Sequence, residues 1–224
     1  MELHLFCIPG ERDIRHVLDA SRPYLQNKDE PTVAFLPQAW LNVNHWYEYT
    51  AQSFSKLAKV ELIDTESMTL AEMEAILRRA HVVYISGGNT FLLNHRLHTS
   101  RLLPYLRKKI LAGLPVVAFS AGTTLCGPNI LTSNDLNAVE TTHFAGLNLL
   151  PFNFNVHYDD SAERDDWLSD YHVFQPNPVV LMADNAYIRV DGRKTSLVRG
   201  DAWILRREAE KEKIEPGNTL KIEA

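Results

Sequence analysis

Leu114-Pro115-Val116-Val117-Ala118-Phe119-Ser120-Ala121-Gly122-Thr123-Thr124-Leu125 reads as a buried strand, a serine and the start of a helix, with no loop between them. A β-branched and aromatic run that passes straight into a helix is the strand-to-helix step of an α/β sheet. It is also the setting of a nucleophile elbow, where a strained turn lifts a serine hydroxyl clear of the strand end. Such a turn needs very small residues two positions before and two after the serine, and Ala118 and Gly122 are small enough. The strict Gly-x-Ser-x-Gly pattern is broken at Ala118, and serine is also a common helix N-cap. These five residues therefore allow both a nucleophile and a plain cap. In the catalytic reading Ser120 attacks, and the Ala121 amide, at the positive end of a helix, is an oxyanion donor.

The same alternation extends outward in both directions. Leu3 to Ile8, Thr32 to Leu36 and His81 to Ser86 read as strands, with Pro9-Gly10 and Pro37 ending the first two. Helices are expected from Ile14 to about Tyr24, Trp46 to Ala58, Thr69 to Ala80, near Thr90, and Leu102 to Leu111; Leu70, Met73, Ile76 and Leu77 keep helical spacing. After residue 145 the runs shorten: Phe152 to Val156, Val179 to Met182, Tyr187 to Val190, Ser196 to Val198 and Ala202 to Leu205, with Asp191-Gly192 as a hairpin turn. The expected fold is α/β, a mostly parallel central sheet flanked by helices with a small antiparallel C-terminal portion, as one domain over residues 1–224. Residues from about 206 onward read as a charged tail, with Glu208 to Lys213 solvated or a short exposed helix.

Composition limits the functions open to such a fold. The 224 residues carry 23 Lys and Arg against 28 Asp and Glu, a net charge of −5, and no basic block, so nucleic acid is not an expected partner. No apolar stretch approaches the ~20 residues of a membrane helix, and the N-terminus reads as a strand rather than a signal peptide, so a cytoplasmic location and no membrane partner are expected. Cys7 and Cys126 are too few for a disulfide framework and lack metal-ligand spacing. They read as two core residues in a reducing compartment, and the His and carboxylate spacings hold no metal motif either.

Other residues could complete a serine site. Ile85-Ser86-Gly87-Gly88-Asn89-Thr90 ends a strand in two glycines before a helix, which frees amides to face an anion and makes Gly88 a second oxyanion candidate. Asn89 is either the helix cap or a substrate-binding residue. A Rossmann loop is disfavoured because no third glycine follows. Among nine histidines, His157 stands out at the end of an apolar-polar alternation, beside Asp159 and Asp160, with His143 its competitor. Asp184 emerges at the end of the apolar run Val179 to Ala183 and could orient the base. Asp135, in Ser133-Asn134-Asp135, is the alternative acid, a turn residue or a substrate-site residue.

Taken together, Gly87-Gly88-Asn89-Thr90-Phe91, Phe119-Ser120-Ala121-Gly122, Thr132-Ser133-Asn134-Asp135 and Asn155-Val156-His157-Tyr158 resemble the peptidase E, or aspartyl dipeptidase, family of serine peptidases. The resemblance covers nearly the whole chain. It implies a fold like class I glutamine amidotransferase domains, with serine replacing the usual cysteine, and hydrolysis of dipeptides that begin with aspartate, without metal or cofactor. By position it makes Ser120 the nucleophile, His157 the base, Gly88 and Ala121 the oxyanion donors, and Arg164 the partner of the substrate's aspartyl carboxylate. Arg12, Arg189 and Arg193 are other cations that could take Arg164's part. Where the family has glutamate in Leu-Pro-Glu-Gly, this chain reads Met182-Ala183-Asp184-Asn185, and the segment after His157 is several residues shorter. The implied partner is a small peptide, acted on by a monomer or homodimer. Two further readings go with it. One is a cyanophycinase-like hydrolase of β-aspartyl peptides, whose basic leaving residues would suit Asp159, Asp160, Asp165 and Asp166. The other is a non-catalytic binding protein that keeps the fold.

Overall fold

The computed structural model describes residues 1–7 and 14–220, and its centre is a sheet of five parallel strands. These are β1 (Glu2–Phe6), β2 (Thr32–Leu36), β3 (Lys59–Leu62), β4 (Val82–Ile85) and β5 (Val116–Phe119), in the spatial order β3-β2-β4-β5-β1. Every residue of β2, β4 and β5 is buried, as expected for strands covered on both faces. The covering helices are α1 (Ile14–Leu25), α2 (Val43–Phe54), α3 (Leu70–Arg79), α4 (Thr90–Thr99), α5 (Leu102–Leu111) and α6 (Ala121–Leu125).

Strand alternation sorts the core into two layers. Phe6, Val33, Phe35, Val82, Tyr84, Val117 and Phe119 pack with Val17, Ala20 and Leu25 of α1 and Phe54 of α2. Their sequence neighbours Leu5, Ala34, Leu36, Val83, Ile85, Val116 and Ala118 face the opposite way, against α3, α4, α5 and α6.

Further along the chain come β6 (Asn153–Val156), α7 (Ala162–Phe174), β7 (Val179–Met182), β8 (Tyr187–Asp191), β9 (Lys194–Arg199), β10 (Ala202–Leu205) and β11 (Glu212–Ile214). Strands β8 and β9 add antiparallel to the edge at β1, and Gly192 (φ +62°) makes the turn between them. The rest form a second sheet, β11-β10-β7-β6, mostly antiparallel but with β6 and β7 parallel. Parallel neighbours need a crossover, and α7 supplies it. Sequence reading misses α7 because charged and aromatic residues ring it without an apolar stripe. It misses β3, where Lys59-Val60-Glu61-Leu62 is too short a pattern. The stretch expected as a charged tail or exposed helix instead contributes β11, whose Ile214 is buried and pairs with Ala202. The expected end of the first strand and its Pro9-Gly10 stop lie outside the described residues. No helix among the described residues is long and apolar enough to cross a membrane.

Candidate active site

Two pairs of parallel strands deliver their carboxyl ends to one place. Strands β4 and β5 are paired through Ile85 and Ala118, and β6 and β7 through Val156 and Met182. The residues that follow them are Gly87-Gly88, Ser120, His157 and Asp184, at the strand ends where open α/β sheets bind ligands.

Ser120 adopts φ 47°, ψ −106°, a conformation non-glycine residues rarely hold, at the N-terminus of α6. Its side chain makes no capping bond; Oγ lies 2.7 Å from His157 Nε2. The elbow is tightly enclosed, since a Cβ on Gly122 would come within 2.6 Å of the Ile85 carbonyl oxygen. His157 also has positive φ, 57°, and its Nδ1 lies 2.6 Å from Asp184 Oδ1. A carboxylate only accepts, so Nδ1 carries the proton and Nε2 is left to accept from the Ser120 hydroxyl. The shorter acid of this chain thus reaches the imidazole. Its turn is braced: Ala186 N donates to Ala183 O (2.9 Å), Asn185 Nδ2 donates to Asp201 Oδ2 (3.1 Å), and Asp201 N donates back to Asn185 Oδ1 (2.9 Å). Gly200 (φ +80°) lies against it, where a Cβ would be 2.3 Å from Asn185 O. Sequence reading does not find Asn185, Gly200 or Asp201, because their signal is only turn composition.

The glycine turn after β4 sits directly beside the serine, with the position of a Gly87 Cβ 3.2 Å from Ser120 Cβ. At Gly88 (φ +121°) a side chain would strike the Ala39 carbonyl oxygen at 2.6 Å, so glycine is required there. The amides of Gly88 and Ala121 make no hydrogen bond among the described residues. Arg96, 6% exposed and unnoticed in the sequence, fixes the loop behind Gly88: Nη1 donates to Gln38 O (3.1 Å) and Trp40 O (2.6 Å), and Nε donates to Glu66 Oε1 (3.0 Å).

Asp135 is bonded elsewhere. Its Oδ2 accepts from Thr90 N (2.7 Å), Thr90 Oγ1 (2.6 Å) and Ser133 Oγ (3.1 Å), which ties its loop to the first turn of α4. Asn89 caps the same helix, accepting from Leu92 N (2.9 Å) and donating to Leu136 O (2.9 Å). His143 stacks on His98, 4.8 Å between ring centres.

Arg164, in the first turn of α7, lines a pocket of about 440 Å³ with Ser133, Asn134, Asp135, Asp159 and Trp167. Its Nη1 donates to Asn155 Oδ1 (3.2 Å), and the buried Asn155 is itself held through Nδ2 by Thr132 O (2.8 Å) and Asn134 Oδ1 (2.7 Å). Of the other cations, Arg189 points to Asp191 (3.5 Å), Arg193 is exposed in the β8–β9 turn, and Arg12 lies outside the described residues. Beyond the pocket, Lys211 Nζ bridges Asp160 Oδ1 (2.5 Å), Asp165 Oδ2 (2.7 Å) and the Tyr158 hydroxyl (2.5 Å). Burial draws the Lys211 ammonium down, but its bonds to Asp160 and Asp165 outweigh this and hold it well above the usual range.

The sequence profile of peptidase family S51 matches residues 7–198. A protein named "Peptidase E" from Nostoc sp. is 32% identical over 179 residues, 73% of each chain. A Drosophila melanogaster protein named "Probable alpha-aspartyl dipeptidase" is 30% identical over 198 residues, 84% of this chain and 81% of its own. The crystal structure of a peptidase from an acI-B1 actinobacterium superposes with a TM-score of 0.73 at 15% identity, covering 99% of this chain and 96% of that one, and so shares its fold. A profile match over most of the chain and relatives at this identity and coverage lead to one conclusion: the chain belongs to peptidase family S51, and it is a serine-type peptidase.

Proposed function

We propose that this peptidase cleaves dipeptides whose first residue is aspartate, with Ser120 as nucleophile, His157 as general base and acid, and Asp184 as the orienting acid. The observation that carries the reading is the unbroken chain Ser120 Oγ, His157 Nε2, His157 Nδ1, Asp184 Oδ1, with links of 2.7 and 2.6 Å. His157 takes the hydroxyl proton as Ser120 attacks the carbonyl of the aspartyl residue, then gives it to the departing amine. Water, deprotonated by the same imidazole, releases aspartate from the serine ester. Asp184 holds the imidazole in the working tautomer and stabilises the imidazolium. The amides of Gly88 and Ala121 receive the oxyanion, at a site where no rearrangement is needed to free them.

Arg164 pairs with the substrate's β-carboxylate. A guanidinium offers a planar two-toothed fork, and Asn155 occupies only one of its donors. The name of the Drosophila relative supports the substrate class. Hydrolysis of β-aspartyl peptides with basic leaving groups is the weaker reading, because Lys211 already pairs with Asp160 and Asp165. A non-catalytic role would leave the strain at Ser120 and His157 without a use.

The test is kcat/KM for Asp-Leu, Asn-Leu and β-Asp-Leu with the wild type, Ser120→Ala and Arg164→Met. Asp-Leu should be preferred, Ser120→Ala should lose several powers of ten in rate, and Arg164→Met should shrink the ratio of Asp-Leu to Asn-Leu. Wild-type turnover in Ser120→Ala would exclude the nucleophile, and an unchanged ratio in Arg164→Met would move specificity to another cation.

A further inference from the structure

We propose that Cys7, His157 and Asp184 form an inhibitory site for a thiophilic divalent cation, zinc being the natural occupant. The site shares His157 with the proposed triad, so its effect on rate rests on that reading; binding itself does not. Cys7 follows β1, and its Sγ lies 3.8 Å from His157 Nδ1, on the same edge of the imidazole that meets Asp184. Donor atoms of all three residues fall within 4.8 Å of one another. With the usual Zn–S and Zn–N lengths and tetrahedral angles, the sulfur and nitrogen would stand about 3.6 Å apart, close to the distance found. The carboxylate oxygen is too near the nitrogen, at 2.6 Å, and must swing outward by roughly 0.7 Å to admit a cation. Asp184 can do so, because its side chain is 55% exposed on a turn. Thiol, imidazole and carboxylate make a three-ligand zinc set.

The hydrolytic chemistry makes no demand on the Cys7 thiol. Its S–H donates to Met182 O (3.2 Å), and burial holds it protonated, with a pKa pushed up to about 12. The cation displaces that proton to solvent and forms the metal–sulfur bond. The sulfur also receives the His157 backbone N–H (2.9 Å), a bond of the kind that steadies a metal-bound thiolate. Coordination at Nδ1 moves the imidazole proton to Nε2, where it faces Ser120 Oγ. The imidazole then has no lone pair to accept the serine proton, and Asp184 no longer orients it. Bound cation and catalysis are mutually exclusive.

Two measurements on chelator-treated protein test the site. The first is zinc inhibition of Asp-Leu hydrolysis in the wild type, Cys7→Ser, Cys7→Ala and, as a control for the other thiol, Cys126→Ser. Wild type and Cys126→Ser should lose activity and regain it with EDTA. Each Cys7 variant, compared with its own metal-free rate, should require more than the ~10- to 100-fold extra zinc that loss of a mere supporting partner costs. The second, independent of turnover, is the ultraviolet thiolate-to-cadmium charge-transfer band in Ser120→Ala protein, expected to saturate at one equivalent and to vanish in Ser120→Ala/Cys7→Ala. Equal zinc sensitivity with and without Cys7, or no band at one equivalent, overturns the proposal. A band in a protein that hydrolyses no dipeptide would keep the cation site and reject the catalytic reading instead.

Discussion

At the scale of single residues, the acid of the proposed triad decides most. Asp184 is one methylene shorter than a glutamate, and its turn is held close to His157 by the bonds between Asn185 and Asp201, with Gly200 packed against the Asn185 carbonyl. Asp184→Asn should therefore lower kcat by up to ~10⁴ with the fold intact, as the wrong imidazole tautomer is then favoured. Asp135→Ala should instead cost stability, about 1 kcal/mol for the lost bonds to the first turn of α4, with a much smaller fall in kcat. Single-turnover rates and urea midpoints of the two variants check this, and the opposite ranking would exchange their roles. Gly200→Ala should lower kcat while KM for Asp-Leu stays nearly constant, because its Cβ would push the Asn185 carbonyl and with it the Asp184 carboxylate. Steady-state kinetics on folded Gly200→Ala would contradict this if kcat matched wild type. In the sequence, the small neighbours of Ser120 allow an elbow, and Asp184 is read as the acid with Asp135 as the alternative, because each is a carboxylate beside a turn and only the fold shows which one meets His157.

At the scale of elements, the C-terminal strand governs the segment between His157 and Arg164. Lys211, at the foot of β11, binds Asp160, Asp165 and Tyr158 and also lies 5.1 Å from the Tyr158 ring centre. It lies outside the stretch matched by the family profile. Releasing it should loosen the start of α7, and so Arg164, the proposed partner of the substrate carboxylate, more than the proposed triad. Lys211→Met should raise KM for Asp-Leu roughly 5- to 10-fold, equivalent to about 1–1.4 kcal/mol of network coupling, with a smaller change in kcat. Lys211→Arg should recover part of it. A fall confined to kcat would show that Lys211 acts through His157 instead. None of this is legible beforehand: alternating charges at 206–215 look like any solvated surface, and only pairing with β10 shows that this stretch is a strand with Ile214 buried.

At the scale of the whole molecule, β1 is the strand on which both halves of the fold close, pairing with β5 and β8. His4, at its middle and 5% exposed, binds Tyr187 through Nδ1 (2.6 Å) and Tyr24 through Nε2 (2.8 Å), so it joins β8 to α1. Burial, reinforced by Arg189 and opposed by Glu2 and Asp191, lowers its pKa from 6.5 to about 4. The unfolded chain therefore takes this proton first as pH falls. Stability should decline from about pH 6.5 to about pH 4, by up to about 3 kcal/mol, and the histidine's part should level off below that. Urea midpoints of wild type and His4→Gln across this window should diverge, the wild type being steeper; parallel curves would remove His4 from the acid response. By itself the sequence determined most of the buried parallel strands, the helices between most of them and the strand-to-helix step at Ser120, because apolar runs, their period and the small residues around a serine act over a few neighbouring positions. Only the tertiary structure decided that β6 and β7 run parallel through α7, that Asp184 rather than Asp135 meets His157, and that Cys7 lies beside the same edge of that imidazole as Asp184. Cys7 and His157 are 150 positions apart, His157 and Asp184 27. Contacts of that separation are set by which strands pair and where they end together, which no local pattern encodes.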